Sequence, residues 1–177
     1  MVFKFRIISD ENKDFARELL ISSENSFLDF HHCLQEDLGY DPKQLAYFFL
    51  TNAAWEKQLQ ITLLDMMDEE GGNCTTMDQV TLGAHFAKKG QRLLYVYDFF
   101  SERSFFIELT EVLDVDKHKT LPTIIFSHGE PPPQIDLGLE NLDFDAGSFD
   151  ELDEGDPIDD GFPGDFESLD ADDYPDV

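Results

Sequence analysis

The pattern of apolar residues predicts an α+β fold: one mixed, mainly antiparallel sheet carrying two helices on one face, followed by a disordered acidic C-terminal tail. Three observations carry this expectation. Apolar and polar residues alternate in several short runs, which is the period of a half-buried strand. One stretch instead repeats Phe27, Phe30, Leu34 and Leu38 at helical spacing. All 12 lysines and arginines precede position 120, whereas 18 of the 39 acidic residues lie from Glu130 onward. The chain therefore divides into a folded domain over residues 1–130 and a low-complexity tail over residues 131–177.

Taken in order, residues 2–8 place Phe3, Phe5 and Ile7 against Lys4 and Arg6, the alternation of a first strand. The polar run Ser9-Asp10-Glu11-Asn12-Lys13 turns the chain, and residues 15–21 return as the second strand of a hairpin. Ser26 is placed to cap a helix, with Asp29 as the acidic partner of a capping box and Gly39 as the left-handed stop. Residues 45–50 are a dense apolar run suited to a strand buried on both faces, and Leu59, Ile61 and Leu63 alternate in another. Residues 68–74, with Gly71-Gly72, read as a loop. Thr81 is expected to cap a second, short helix bearing Leu82 and Phe86 and ending at Gly90. Leu93, Tyr95 and Tyr97 then alternate with Leu94 and Val96, and Phe105, Ile107 and Leu109 form the return strand beyond a turn at Phe100-Ser101-Glu102. Residues 121–126 add a last edge strand before Pro131-Pro132-Pro133 ends regular structure.

Charge and cysteine usage exclude several classes of function. The formal net charge is −27, and residues 1–129 hold 21 acids against 12 bases, a net of −9. Direct binding to a phosphate backbone needs clustered Lys and Arg, so no nucleic-acid contact is expected. Cys33 and Cys74 are far apart, without a CxxC pair, which fits a reducing compartment and speaks against a disulfide framework or zinc knuckle. Residues 1–6 alternate charged and apolar side chains rather than forming a leader, and no apolar run reaches the roughly 20 residues that span a bilayer. A soluble, cytoplasmic protein without membrane contact is the expectation.

Several stretches carry a family resemblance. The hairpin with Phe15-Ala16-Arg17-Glu18-Leu19-Leu20-Ile21 leads into Phe30-His31-His32-Cys33-Leu34-Gln35 and Leu38-Gly39-Tyr40-Asp41. Downstream stands Lys89-Gly90-Gln91-Arg92-Leu93-Leu94-Tyr95-Val96-Tyr97-Asp98-Phe99. In order and spacing these resemble the plasmid pRiA4b ORF-3-like family over residues 2 to about 130, without the tail. The resemblance implies a ubiquitin-like, β-grasp-like element order and no established reaction. The chain departs from the family pattern where Gln44-Leu45-Ala46-Tyr47-Phe48 replaces a His-Leu-His-x-Phe run, and where Phe100, Ser101, Arg103 and Phe105 follow the Tyr-Asp-Phe strand. Of the polar set that would form a family site, His31 and Asp98 remain.

Candidate chemistry is sparse. His31-His32-Cys33 has metal-binding residue types, but neighbours on a helix point about 100° apart, so no metal and no cofactor are assigned. No nucleophile elbow, P-loop or GxGxxG occurs, and catalytic residues stay unknown. Asp156 to Glu167 lacks the third-position ligand of a calcium loop, which is Ile158 here. A ligand site is expected in a cleft beside the first helix, built from His31, Asp98 and Glu108, with the two carboxylates facing each other across a turn. The paired aromatics Tyr47-Phe48-Phe49 and Phe105-Phe106 read as core. The tail offers Leu142, Phe144, Phe149, Leu152, Phe162 and Phe166 dispersed among carboxylates, a composition that suits a protein partner with a basic surface. The expected function is thus a non-catalytic interaction module binding a protein partner, partly through this tail. Two alternatives stand beside it: a small-ligand or metal-dependent enzyme near His31 and Asp98, and an accessory regulator of DNA transactions acting through a DNA-binding protein.

Overall fold

In the computed structural model, residues 1–64, 75–114 and 120–135 are described, and they fall in one compact unit, Met1–Leu137. The loop expected over 68–74 and the acidic tail beyond residue 135 lie outside the described residues. Strand β1 (Val2–Ser9) buries Phe3, Phe5 and Ile7 and turns Arg6 and Ile8 to the opposite face. It pairs with β2 (Ala16–Ser22) in the expected hairpin. Helix α1 (Phe27–Leu38) begins at a complete capping box: Ser26 Oγ accepts from Asp29 N at 3.1 Å, and Asp29 Oδ2 accepts from Ser26 N at 2.8 Å. It ends at Gly39, whose φ of 67° lets the chain turn left-handed.

Strands β3 (Tyr47–Thr51), β4 (Lys57–Thr62), β5 (Arg92–Asp98), β6 (Arg103–Leu113) and β7 (Thr123–His128) complete a seven-stranded sheet in the order β4-β3-β5-β6-β1-β2-β7. Every pairing between these strands is antiparallel. The expectation of a mixed sheet in β-grasp-like order with two helices is therefore corrected: this is an antiparallel sheet with one α-helix among the described residues. The second helix fails for a local reason. Leu82–Ala84 makes a single 3-10 turn, and Thr81 gives no side-chain cap. The N–H groups of Leu82 and Gly83 are drawn to the carbonyls of Asn25 and Ser23 at 2.9 and 2.8 Å. Gly83 packs so closely there that a Cβ would stand 2.9 Å from Ser23 O. The N–H groups of Ala84, His85 and Phe86 bond back to Thr81 and Leu82 and close that one turn, but those of Ala87 and Lys88 are taken by the Gln91 side chain, which also donates to His85 O.

The core lies between α1 and one face of the sheet. Phe30 sits 5.1 Å from Phe5 and 5.5 Å from Phe48, centroid to centroid, and Phe27 lies 5.4 Å from Phe48. Each such fully buried side chain contributes about 1.5–3 kcal/mol. No helix covers the opposite face among the described residues. Two rows of side chains cross all seven strands on it. One runs Gln60, Phe49, Leu94, Phe106, Ile8, Ala16 and His128; the other runs Lys57, Thr51, Arg92, Glu108, Arg6, Glu18 and Phe126. An apolar row thus lies against a row of mostly alternating charge.

Candidate functional site

The three residues expected to share a cleft occupy three different environments. His31, on the buried stripe of α1, is 1% exposed. Its Nδ1 lies 2.8 Å from the Tyr95 hydroxyl, which accepts from Gln35 Nε2 at 2.6 Å. Burial, and then the neighbouring His32, lowers the imidazole pKa to about 4, while burial pushes the Tyr95 hydroxyl far above its ordinary range. The arrangement that suits both is a protonated phenol donating to neutral His31 Nδ1. This linkage ties the helix to the centre of the sheet. It leaves His31 no free lone pair for a metal and no accessible proton for acid–base work.

Asp98 ends β5 and is buried. Its Oδ1 accepts from Phe100 N at 3.1 Å and Ser101 N at 3.2 Å, so it shapes the β5–β6 turn, with Arg103 3.9 Å from its other oxygen. It also borders a pocket of about 220 Å³ with Lys43, Leu45, Tyr97 and Phe99. Glu108 stands on the helix-free face, held by Arg92 Nε at 2.9 Å. By register Asp98 faces Arg103 and Glu108 faces Arg92. Six residues of strand, about 20 Å at 3.3 Å each, separate the two positions, so the carboxylates do not face each other. The thiol of Cys33 is pushed up to about 11 by burial and by Asp37 and Glu36, which removes thiolate chemistry at neutral pH. Among the described residues no group of three or more His, Cys, Asp or Glu side chains is placed to hold a metal.

The structure instead assembles a site on the helix-free face that the sequence reading missed. Trp55 lies in the β3–β4 turn, where Asn52 Oδ1 accepts from Ala54 N and Glu56 N at 2.8 and 3.0 Å. Its φ is 64°, a left-handed conformation costing a non-glycine residue about 1–2 kcal/mol. The indole folds back over the sheet and meets Phe106 edge-to-face at 4.9 Å. The Arg92 guanidinium stacks 4.9 Å from the indole centre and donates to Ala53 O. An aromatic pair of this kind is worth about 0.5–1.5 kcal/mol and an exposed cation–π contact about 0.5–1, so together they roughly offset the strain. Beside the indole a shallow pocket of about 250 Å³ is lined by Arg6, Ile8, Trp55, Phe106, Glu108 and Thr110. Of the paired aromatics read as core, Phe48 and Phe105 are fully buried, whereas Phe106 lines this pocket. The one available signal was a large aromatic, Trp55, three residues after Asn52, at a turn position that favours glycine.

A family model described as plasmid pRiA4b ORF-3-like protein matches residues 2–140. The chain belongs to this family. Within this pRiA4b ORF-3-like chain, the two motif stretches that carry the resemblance meet in the His31–Tyr95–Gln35 linkage. The crystal structure of a protein of unknown function, MM3350 from Methanosarcina mazei Go1, is similar in fold, with a TM-score of 0.59 and 19% identity. That likeness covers 71% of this chain and 68% of the other. No curated protein matches. Among the described residues no helix is long and apolar enough to cross a membrane.

Proposed function

We propose that this chain is a non-catalytic interaction module that binds a protein partner through the helix-free face of its sheet, with the acidic tail as a second contact. One observation carries the reading: Trp55 is held in a strained turn to present its indole on an exposed face, not to fill the core. Strained backbone concentrates at binding sites, and a rigid aromatic beside exposed apolar residues is the composition of an interface centre. Ile8 is 41% exposed within this patch. The titratable groups nearest the core support the same reading, because His31 is committed to Tyr95 and Cys33 is kept protonated. The tail enters by composition alone, through Leu142, Phe144, Phe149, Leu152, Phe162 and Phe166.

The test is affinity capture with three forms of the chain: the full sequence, Ile8→Lys combined with Trp55→Ala, and a chain ending at residue 135. Partners are expected to be lost from the double variant while its thermal midpoint stays within a few degrees, and to be weakened by the truncation. An identical set of partners from all three forms would sink the proposal. A DNA-binding protein among the partners would give the regulatory role.

A further inference from the structure

We propose that the pocket beside Trp55 receives an acidic peptide segment of the partner, with an aromatic side chain packed among Trp55, Phe106 and Ile8 and the adjacent carboxylate paired with Arg6. This rests on the sheet-face reading and adds the chemistry of the ligand. The chain has four arginines. Arg17 is bound to Asp37 at 2.8 Å, Arg92 to Glu108 at 2.9 Å, and Arg103 to Glu11 through a two-pronged pair. Arg6 alone is exposed and has no ion pair or side-chain hydrogen bond among the described residues.

Its neighbours do not supply a partner. Arg6 stands between Glu108 and Glu18 across the strands, but Glu108 is engaged by Arg92 and Glu18 by Lys4 at 3.2 Å. An uncommitted guanidinium on an otherwise acidic domain therefore borders the most apolar part of the exposed face. A planar guanidinium takes a carboxylate in two parallel hydrogen bonds, giving direction as well as attraction. A lysine-bearing ligand would meet the same charge as repulsion. The pocket volume of about 250 Å³ admits one aromatic side chain. Because the turn and Arg92 already fix the indole, little side-chain freedom is lost when the ring docks.

The experiment uses the full chain and four fluorescein-labelled peptides, identical Gly-Ser frames centred on Asp-Phe-Asp, Asn-Phe-Asn, Asp-Ala-Asp or Lys-Phe-Lys. Binding is followed by anisotropy, and in unlabelled form by the emission of Trp55, the single tryptophan. The Asp-Phe-Asp peptide is expected to bind saturably and to shift Trp55 emission, with the other three at least about tenfold weaker. Arg6→Gln is expected to weaken Asp-Phe-Asp about tenfold while leaving the thermal midpoint in place, and Arg6→Lys, which keeps the charge but not the paired hydrogen bonds, to restore only part of the loss. Equal binding of Asp-Phe-Asp and Lys-Phe-Lys, or binding indifferent to Arg6→Gln, overturns the proposal. If both of those peptides bind and both are lost on Trp55→Ala, the sheet-face reading survives and only the anion preference fails. No saturable binding by any peptide also overturns it.

Discussion

His31, Gln35 and Tyr95 form a buried polar linkage whose stability consequences can be worked out group by group. Removing the hydroxyl with Tyr95→Phe strands His31 Nδ1 and Gln35 Nε2 in an apolar interior, at about 1–3 kcal/mol for each orphaned group. A loss of about 2–4 kcal/mol is expected in a urea melt, with little change in slope. The same linkage sets a pH dependence. The imidazole titrates near 4 in the folded chain and near 6.5 when free. Between those values the unfolded chain binds a proton that the folded chain refuses, so stability falls as pH drops from about 6.5 toward 4 and is unaffected above that window. His31→Gln keeps an acceptor for the phenol and cannot titrate. Thermal midpoints at pH 7 and pH 5 should differ less in that variant than in the parent, and an equal drop in both would refute the assignment. His31 was legible as a helix residue but was read as lining a cleft, although it shares the buried stripe of Phe27, Phe30 and Leu34. Its partner was not legible, because nothing in a strand's alternation says which helix residue will lie above Tyr95.

The elements that repeat a regular period were readable, and those decided by a neighbour were not. Ser26, Asp29 and Gly39 bracket α1 through bonds made within a few residues, so sequence suffices; Ser26→Ala should cost about 1 kcal/mol. Thr81 and Leu82 present a similar local pattern, yet the backbone donors there go to Ser23 and Asn25, nearly sixty residues away. Trp55 was invisible for the converse reason: its turn is local, but its meaning depends on Phe106 and Arg92 arriving from other strands. Two glycines separate local from distant constraint. Gly39 has a φ of 67° with nothing within 4 Å of an added Cβ, so Gly39→Ala should cost about 1–2 kcal/mol of backbone strain alone. Gly129 has a similar φ of 68°, but an added Cβ would stand 2.5 Å from Asp14 O. Gly129→Ala must therefore also displace the β2 entry, and its melting point should fall further than that of Gly39→Ala. Equal losses would mean that the approach of residue 129 to Asp14 contributes nothing.

For the molecule as a whole the open question is where the folded unit stops, and the chain just past β7 answers it by what it binds. The sequence boundary was set at residue 130, where the acidic run begins and Pro131-Pro132-Pro133 ends regular structure. Ending regular structure is not the same as ending the fold. Pro132 O accepts from the buried Tyr40 hydroxyl at 2.5 Å, and Pro133 O accepts from Arg103 at 2.9 Å. Gln134 Oε1 accepts from Asp41 N at 2.7 Å and its amide donates back to Asp41 O at 3.2 Å. A chain ending at residue 130 would leave the Tyr40 hydroxyl without an acceptor in a buried site, costing about 1–3 kcal/mol, and would lose exposed bonds worth about 0.5 kcal/mol each. A chain ending at residue 135 keeps them all. Denaturant melts should therefore place the 1–130 chain about 2–4 kcal/mol below the 1–135 chain. Tyr40→Phe then separates the buried bond from the exposed ones. In the longer chain the substitution leaves Pro132 O unpaired and is destabilising; in the shorter chain there is no acceptor to lose, so it should be nearly neutral or stabilising. A coupling of about 1 kcal/mol or more between truncation and substitution is the expected result. Additive effects would mean that the proline segment lies against the domain without holding it.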